Sequence, residues 1–390
     1  MDCSESGLQK LLAGTFGRKW RNTIGTLPAG QWNASHCVMR NVEGGYLNRV
    51  YRLYSKDDQT KSVFIKHAPP YIKCLGYDQP LGDQRIYLEY LALRKFHDVL
   101  PGSVPKVYFH DDEAKCVVME DLRDYNVLDR QLAKGCLDLT TVRQLASVTA
   151  KLHRKTHIRT TSQEEFQTML ATFSNEEMVA LNVDTTFISA VDPNHPANRC
   201  SAELKGLADS IRKDPEILQS YRSLHSVYEQ QKDCLTHGDL HLGSVMVNES
   251  TVKLIDAEFA FMGPAAADVG IILSNFIFFY AANTLYPRQE NSSFDRLLQE
   301  AIRVTVEIYF DEAKEYLSED ALAALVSQTA GFTGCYIIKW IIGMAEATDL
   351  LEKPQAELMS LNIGVRLIKE YRMIRSTHDL LQSIFDNQPT

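Results

Sequence analysis

Residues 235–270, LTHGDLHLGSVMVNESTVKLIDAEFAFMGPAAADVG, restrict this chain more than any other stretch. The apolar run Val245-Met246-Val247 is followed by Asn248-Glu249-Ser250-Thr251, a four-residue turn. Val252-Lys253-Leu254-Ile255 comes next, and the whole predicts a β-hairpin. An antiparallel return brings the start of the first strand beside the end of the second. Asp239 precedes the hairpin and Asp256 and Glu258 follow it, so carboxylates 17 positions apart are predicted to meet in space. One can then orient a hydroxyl while the others hold a cation, which is the arrangement phosphoryl transfer requires.

The remainder of the chain has room for two domains or lobes, at 390 residues, 45% hydrophobic and 23% charged. A net charge of −9 argues against nucleic acid as a partner, because phosphate contacts need a basic face. The eight cysteines form no C-x-x-C pair and predict reduced thiols. The opening MDCSESGLQK has no basic region followed by an apolar one, which predicts a cytoplasmic protein. The apolar run from Ile271 to Ala282 predicts a buried helix and no membrane partner, since a bilayer takes about 20 such residues.

Strands are predicted within residues 36–67: Val50–Tyr54 alternates, Asp57-Asp58 turns, and Val63–Lys66 returns. From Gln84 to His97 the pattern becomes helical, with Ile86, Tyr90, Leu93 and His97 on one face and Asp83 as N-cap. Strands around Lys106–His110 and Lys115–Met119 follow, and helical segments dominate beyond Leu122. The expected class is α+β and bilobal, with a small β-rich lobe over 1–118, a connector over 119–125, and a larger, mainly α-helical lobe over 126–390.

Several residue groups carry chemistry in this frame. Gly44 and Gly45, in NVEGGYLNRV, read either as a turn whose backbone N–H groups cover a triphosphate or as an ordinary hairpin. Lys66 ends a strand and either holds phosphates while pairing with Glu89 on the following helix, or is an exposed edge lysine. Asp239 is the candidate general base, against a turn or cap role. Asp256 and Glu258 are candidate Mg²⁺ ligands, because magnesium prefers carboxylate oxygens shared with phosphate and water. His237 and His241, four apart, raise the possibility of a zinc hydrolase, but no third ligand stands at a suitable spacing. His237 reads better as a brace for the loop that carries Asp239.

At these residues the chain resembles the aminoglycoside-phosphotransferase and choline-kinase superfamily, and within it the methylthioribose kinase family. The likeness rests on GGYLNRVYR, IKHAPPYIKCLG, VVMEDL, DPNHPAN, HGDLHLGS, IDAEFAF, GPAAADVG and GCYIIKWIIGMAEATDL. It implies a protein-kinase-like fold and ATP-dependent phosphorylation of the anomeric hydroxyl of methylthioribose, a step of methionine salvage, with ATP and Mg²⁺ as cofactors and a homodimer as assembly. It assigns Asp239 as base, Asp256 and Glu258 to the metal, and Gly44, Gly45, Asn48, Lys66, Glu89, Glu120 and Leu122 to the nucleotide. Asp239, His241, Lys339 and Trp340 fall to the sugar. The chain departs from the family at Glu43 (usually Gly), Gln79 (usually Trp), Leu242 (usually Thr) and Ala257 (usually Pro). Lys339-Trp340 replaces two adjacent arginines. Ser244 stands where many kinases carry a metal-binding asparagine. These departures leave open a kinase for another sugar or an amino alcohol, and a non-catalytic nucleotide-binding scaffold.

Overall fold

A computed structural model describes residues 37–42, 44–249, 251–288 and 293–386. The chain divides into two compact units. The first ends at Asp124, and the second begins at Tyr125 and also takes in Asp98–Ser103. The expected α+β division is found, with an antiparallel sheet in the first unit and mainly helices in the second.

The first unit is built on five strands in the order β1-β2-β3-β5-β4. They are β1 (Cys37–Asn41), β2 (Arg49–Ser55), β3 (Ser62–His67), β4 (Val107–Asp111) and β5 (Cys116–Glu120). Met39, Tyr51, Leu53, Val63, Ile65, Cys116 and Val118 form the core of one sheet face, as the two-residue alternation requires. β5 continues through Glu120, so part of the stretch read as connector is strand.

The helix Arg85–Val99 follows the sequence pattern in length but not in phase. Its buried residues are Arg85, Ile86, Glu89, Ala92, Leu93 and Phe96, with Tyr90 and His97 only partly covered. The face is rotated because two of its inward positions are charged, and a search for apolar spacing cannot count them.

In the second unit β6 (Asn126–Val127) lies beside the hairpin of β8 (Val245–Val247) and β9 (Val252–Leu254). The predicted register holds: Val245 faces Leu254 and Val247 faces Val252. Asn248 closes the turn, its N–H donating to Thr251 O and its side-chain oxygen accepting from Thr251 N–H. A second antiparallel pair joins β7 (Cys234–Thr236) to β10 (Phe261–Gly263).

Around these short strands pack the helices Leu139–Thr156, Ala265–Leu285, Phe294–Lys314, Glu319–Ile342 and Pro354–Glu370. Ala265–Leu285 contains the predicted apolar run. It is long and apolar enough to cross a membrane, with a mean hydropathy of 1.6, yet its apolar window is wholly buried within this unit, as expected of a core helix. The described cysteines are all free.

Candidate active site

The two strand pairs of the second unit fix the geometry of the acidic groups. β7 and β10 place Thr236 opposite Phe261, so the chain segments carrying Asp239 and Glu258 leave one ladder as neighbours. They rejoin at the hairpin, where Ile255 N–H donates to Ser244 O at 2.9 Å. Residues 237–244 and 255–260 are thus two loops tied together at both ends. Between the ties they touch. A Cβ on Gly238 would stand 2.1 Å from Phe259 O, and Gly238 has φ +82, so glycine alone permits this approach.

His237 is the brace that the sequence suggested. It is buried, and its Nε2–H donates to Ile255 O at 2.7 Å, linking one loop to the other. Burial lowers its pKa, although the carboxylates of Asp268, Asp239 and Asp256 oppose the shift, so the ring is neutral near pH 7. His241 Nδ1 accepts Gly243 N–H at 3.0 Å, which leaves its Nε2 toward Ser244 Oγ at 3.3 Å and Asp239 Oδ2 at 3.7 Å. Among the described residues no three His, Cys, Asp or Glu side chains form a metal cluster by themselves.

Asp256 sits at φ +62, a left-handed conformation that aspartate tolerates better than most residues. Ala257–Phe259 then makes one 3₁₀ turn that buries Glu258. Asn175 Nδ2 holds this turn in place, donating to Glu258 O and Ala260 O, both at 2.9 Å. Two hard carboxylates on a braced turn suit a divalent cation that completes its shell with phosphate and water.

The loop of Asp239 is held from behind by residues that sequence reasoning did not assign. Asp268, in the first turn of the Ala265–Leu285 helix, accepts N–H bonds from His237 at 2.7 Å and Gly238 at 2.9 Å. His153 Nε2 lies 3.0 Å from the same carboxylate, and its Nδ1 lies 2.7 Å from the Tyr309 hydroxyl. Burial alone would raise the Asp268 carboxyl; the bond from His153 and the amides outweigh it and hold the group below the usual carboxylate range. Leu242 N–H donates to Asn275 Oδ1 at 3.1 Å. The one available sequence signal was Asp268 itself, a charge at the head of a long apolar helix.

Lys339 and Trp340, near the end of the Glu319–Ile342 helix, reach the same loop. Lys339 is buried, and its Nζ lies 3.3 Å from Asn182 Oδ1 while Asn182 Nδ2 donates to Gly238 O at 2.8 Å. Burial lowers the Lys339 pKa and the charge of Asp239 opposes the shift. The Trp340 ring stands edge-on to His241 at 6.1 Å between centroids. The structure therefore brings Asp239, His241, Lys339 and Trp340 into one neighbourhood. Asn182 is a further member that nothing in its local sequence marks.

The first unit carries its own cluster. Lys66 Nζ lies 2.8 Å from Glu89 Oε2, with both side chains buried. Asn48 is buried and accepts from Arg85 Nε at 3.1 Å. Arg85 also donates to Leu47 O at 3.2 Å and Pro69 O at 2.9 Å, so one buried guanidinium ties the glycine turn to the segment before the helix. Gly44 and Gly45 adopt φ +122 and +69. Glu120 lies at the end of β5, where its Oε2 accepts Lys106 N–H at 3.0 Å, and Leu122 is buried just beyond. Glu43 lies outside the described residues.

Comparison with known proteins agrees with this chemistry. Residues 38–301, well over half of the chain, match the model of the phosphotransferase enzyme family APH. A methylthioribose kinase of Geobacillus sp. (strain WCH70) is 30% identical over 382 residues, covering 93% of this chain and 92% of that protein. Another, from Geobacillus kaustophilus (strain HTA426), is 31% identical over 356 residues, covering 87% and 89%. Among solved structures, a choline kinase from Cryptosporidium parvum is 14% identical with a TM-score of 0.49, covering 93% of each chain. The chain belongs to the phosphotransferase enzyme family, as a small-molecule kinase with an alcohol group as phosphoryl acceptor.

Proposed function

We propose that this kinase transfers the γ-phosphoryl group of ATP to the anomeric hydroxyl of methylthioribose, giving the 1-phosphate in methionine salvage. The observation that carries the mechanism is the double tie between the loop of Asp239 and the turn of Asp256 and Glu258. Support for the acceptor comes from relatives named methylthioribose kinase that align along nearly the whole chain.

In this reading Asp239 orients the acceptor hydroxyl and takes its proton as the oxygen attacks phosphorus. The new O–P bond forms while the bond from the γ-phosphorus to the bridging oxygen breaks, and ADP leaves with that electron pair. Asp256 and Glu258 hold Mg²⁺, which neutralises phosphate charge when bound. Lys66, kept in place by Glu89, holds the α- and β-phosphates, and Gly44, Gly45 and Asn48 shape the turn over the triphosphate. Glu120 and Leu122 flank the adenine. His241, Lys339 and Trp340 contact the sugar. A cytoplasmic homodimer belongs to the same reading, by resemblance to the family.

One observation favours a second acceptor, another sugar or an amino alcohol. The Trp340 indole N–H is buried without a hydrogen-bond acceptor among the described residues, where two arginines are usual. An indole and a guanidinium fork recognise different groups. ADP release measured with methylthioribose, 5-deoxyribose, ribose and choline tests both. Turnover with methylthioribose alone, and a phosphorus NMR signal from an anomeric phosphate, is the expected result. Preference for another alcohol moves the assignment to it, and ADP release with none returns the scaffold reading.

A further inference from the structure

The glycine turn of the first unit is supported from one side by a segment that has no role so far. Residues 72–79 form a small loop, with Ile72 N–H donating to Gln79 O at 2.8 Å. This loop lies along the turn: Cys74 N–H donates to Tyr46 O at 3.0 Å and Lys73 N–H to Leu47 O at 3.4 Å. The Lys73 ammonium then donates to two successive carbonyls, Gly44 O at 2.7 Å and Gly45 O at 3.0 Å.

The consequence follows from peptide geometry. A trans peptide carries its C=O and the next N–H on opposite sides. With the carbonyls of Gly44 and Gly45 facing Lys73, the N–H groups of Gly45 and Tyr46 face away from it. Neither donates to a backbone carbonyl among the described residues. Successive N–H groups turned to one side form a concavity that binds anions. Glycine populates positive and negative φ about equally, so without the ammonium these two peptide planes are free to rotate.

We propose that Lys73 is a positioning residue for nucleotide binding: by holding the carbonyls of Gly44 and Gly45 it aims the amides of Gly45 and Tyr46 at the phosphates of ATP. This rests on the reading of the turn as the triphosphate site. Lys73 is itself only partly covered, and its ammonium is engaged by the two glycine carbonyls.

Calorimetric titration of the full chain with ATP and with adenosine, for the wild type, Lys73→Met and Lys73→Arg, tests the proposal. Lys73→Met is expected to bind ATP about tenfold more weakly and adenosine as the wild type does. Lys73→Arg, which keeps the charge and paired donors, is expected to stay within about threefold of wild type for ATP. Unchanged ATP affinity in Lys73→Met, or equal losses for ATP and adenosine, overturns the assignment. Lys73→Gln supplies the same comparison should Lys73→Met unfold. A wild-type chain that takes up no ATP overturns the nucleotide reading of the turn itself, so the two failures are distinct.

Discussion

Asp268 accepts the backbone N–H of Gly238 at 2.9 Å, across 30 residues of chain, and so fixes the His237–Gly238 peptide, one residue ahead of Asp239. The same carboxylate takes the N–H of His237 and meets His153, and every member of this cluster is buried. Asp268→Ala leaves three buried donors unpaired, the N–H groups of His237 and Gly238 and the Nε2–H of His153. It is expected to cost roughly 3 kcal/mol or more in urea unfolding. Asp268→Asn, which keeps the shape, should lower kcat with little change in either KM, because it disturbs the aim of Asp239 rather than substrate contacts. A normal kcat in a folded Asp268→Asn protein would show that the loop holds its form without the charge.

Asp239→Asn removes the proposed proton acceptor and preserves volume. Steady-state ADP release should fall by roughly 10²- to 10⁴-fold. ATP affinity by calorimetry should stay within about threefold of wild type, since the predicted loss is confined to the transition state.

Lys66 and Glu89 form a buried ion pair at 2.8 Å. Breaking such a pair from one side strands a buried charge and costs about 3–5 kcal/mol. Lys66→Met and Glu89→Leu are each expected to destabilise by that order in chemical denaturation. The double variant should be less destabilised than the sum of the two, while ATP binding is lost whenever Lys66 is replaced. Additive stability losses would mean that the pair is not coupled.

Gly238→Ala adds a methyl group 2.1 Å from Phe259 O at a residue whose φ is +82. Both the clash and the backbone strain push the loop of Asp239 away from the turn of Asp256 and Glu258. Activity should drop by about 100-fold or more in protein that remains folded by circular dichroism, the scale that a 1 Å misplacement produces. Wild-type turnover would mean that the close approach is dispensable.

His67 and His157 set the response to acid. Burial, then neighbouring arginines, pushes each imidazole down to about 4 from 6.5. The unfolded chain therefore binds protons in this window that the folded one refuses. Their contribution is intact above pH 6.5 and is lost progressively as pH falls toward 4. Each imidazole should lower stability by on the order of 2 kcal/mol between pH 7 and pH 5, and the two together by about 4 kcal/mol. A His67→Gln, His157→Asn variant should show a shallower loss in thermal melts at the two pH values.

Much of the site was legible because its signals are local. The hairpin was readable from the Val245–Val247 and Val252–Leu254 runs with Asn248 between them, and its open end ties Ile255 to Ser244, joining the loops that carry Asp256 and Asp239. Lys66 and Glu89 were readable as a strand end and a helix position. The face of the Arg85–Val99 helix was misread, since burial there follows from Arg85 and Glu89 having partners rather than from apolar character. Asn175 and Asn182 gave no signal, because their hydrogen bonds reach 83 and 56 residues away.

By itself, then, the sequence determined the short-range elements: two strands and a turn, a glycine pair, and the acidic residues at the ends of strands. These follow from alternation, turn chemistry and backbone freedom within a few residues. The tertiary structure alone decided what aims them. Asp268, His153 and Asn182 act on the loop of Asp239 from separate helices or from helix ends. Such contacts depend on how helices pack, and no periodicity within one segment encodes that.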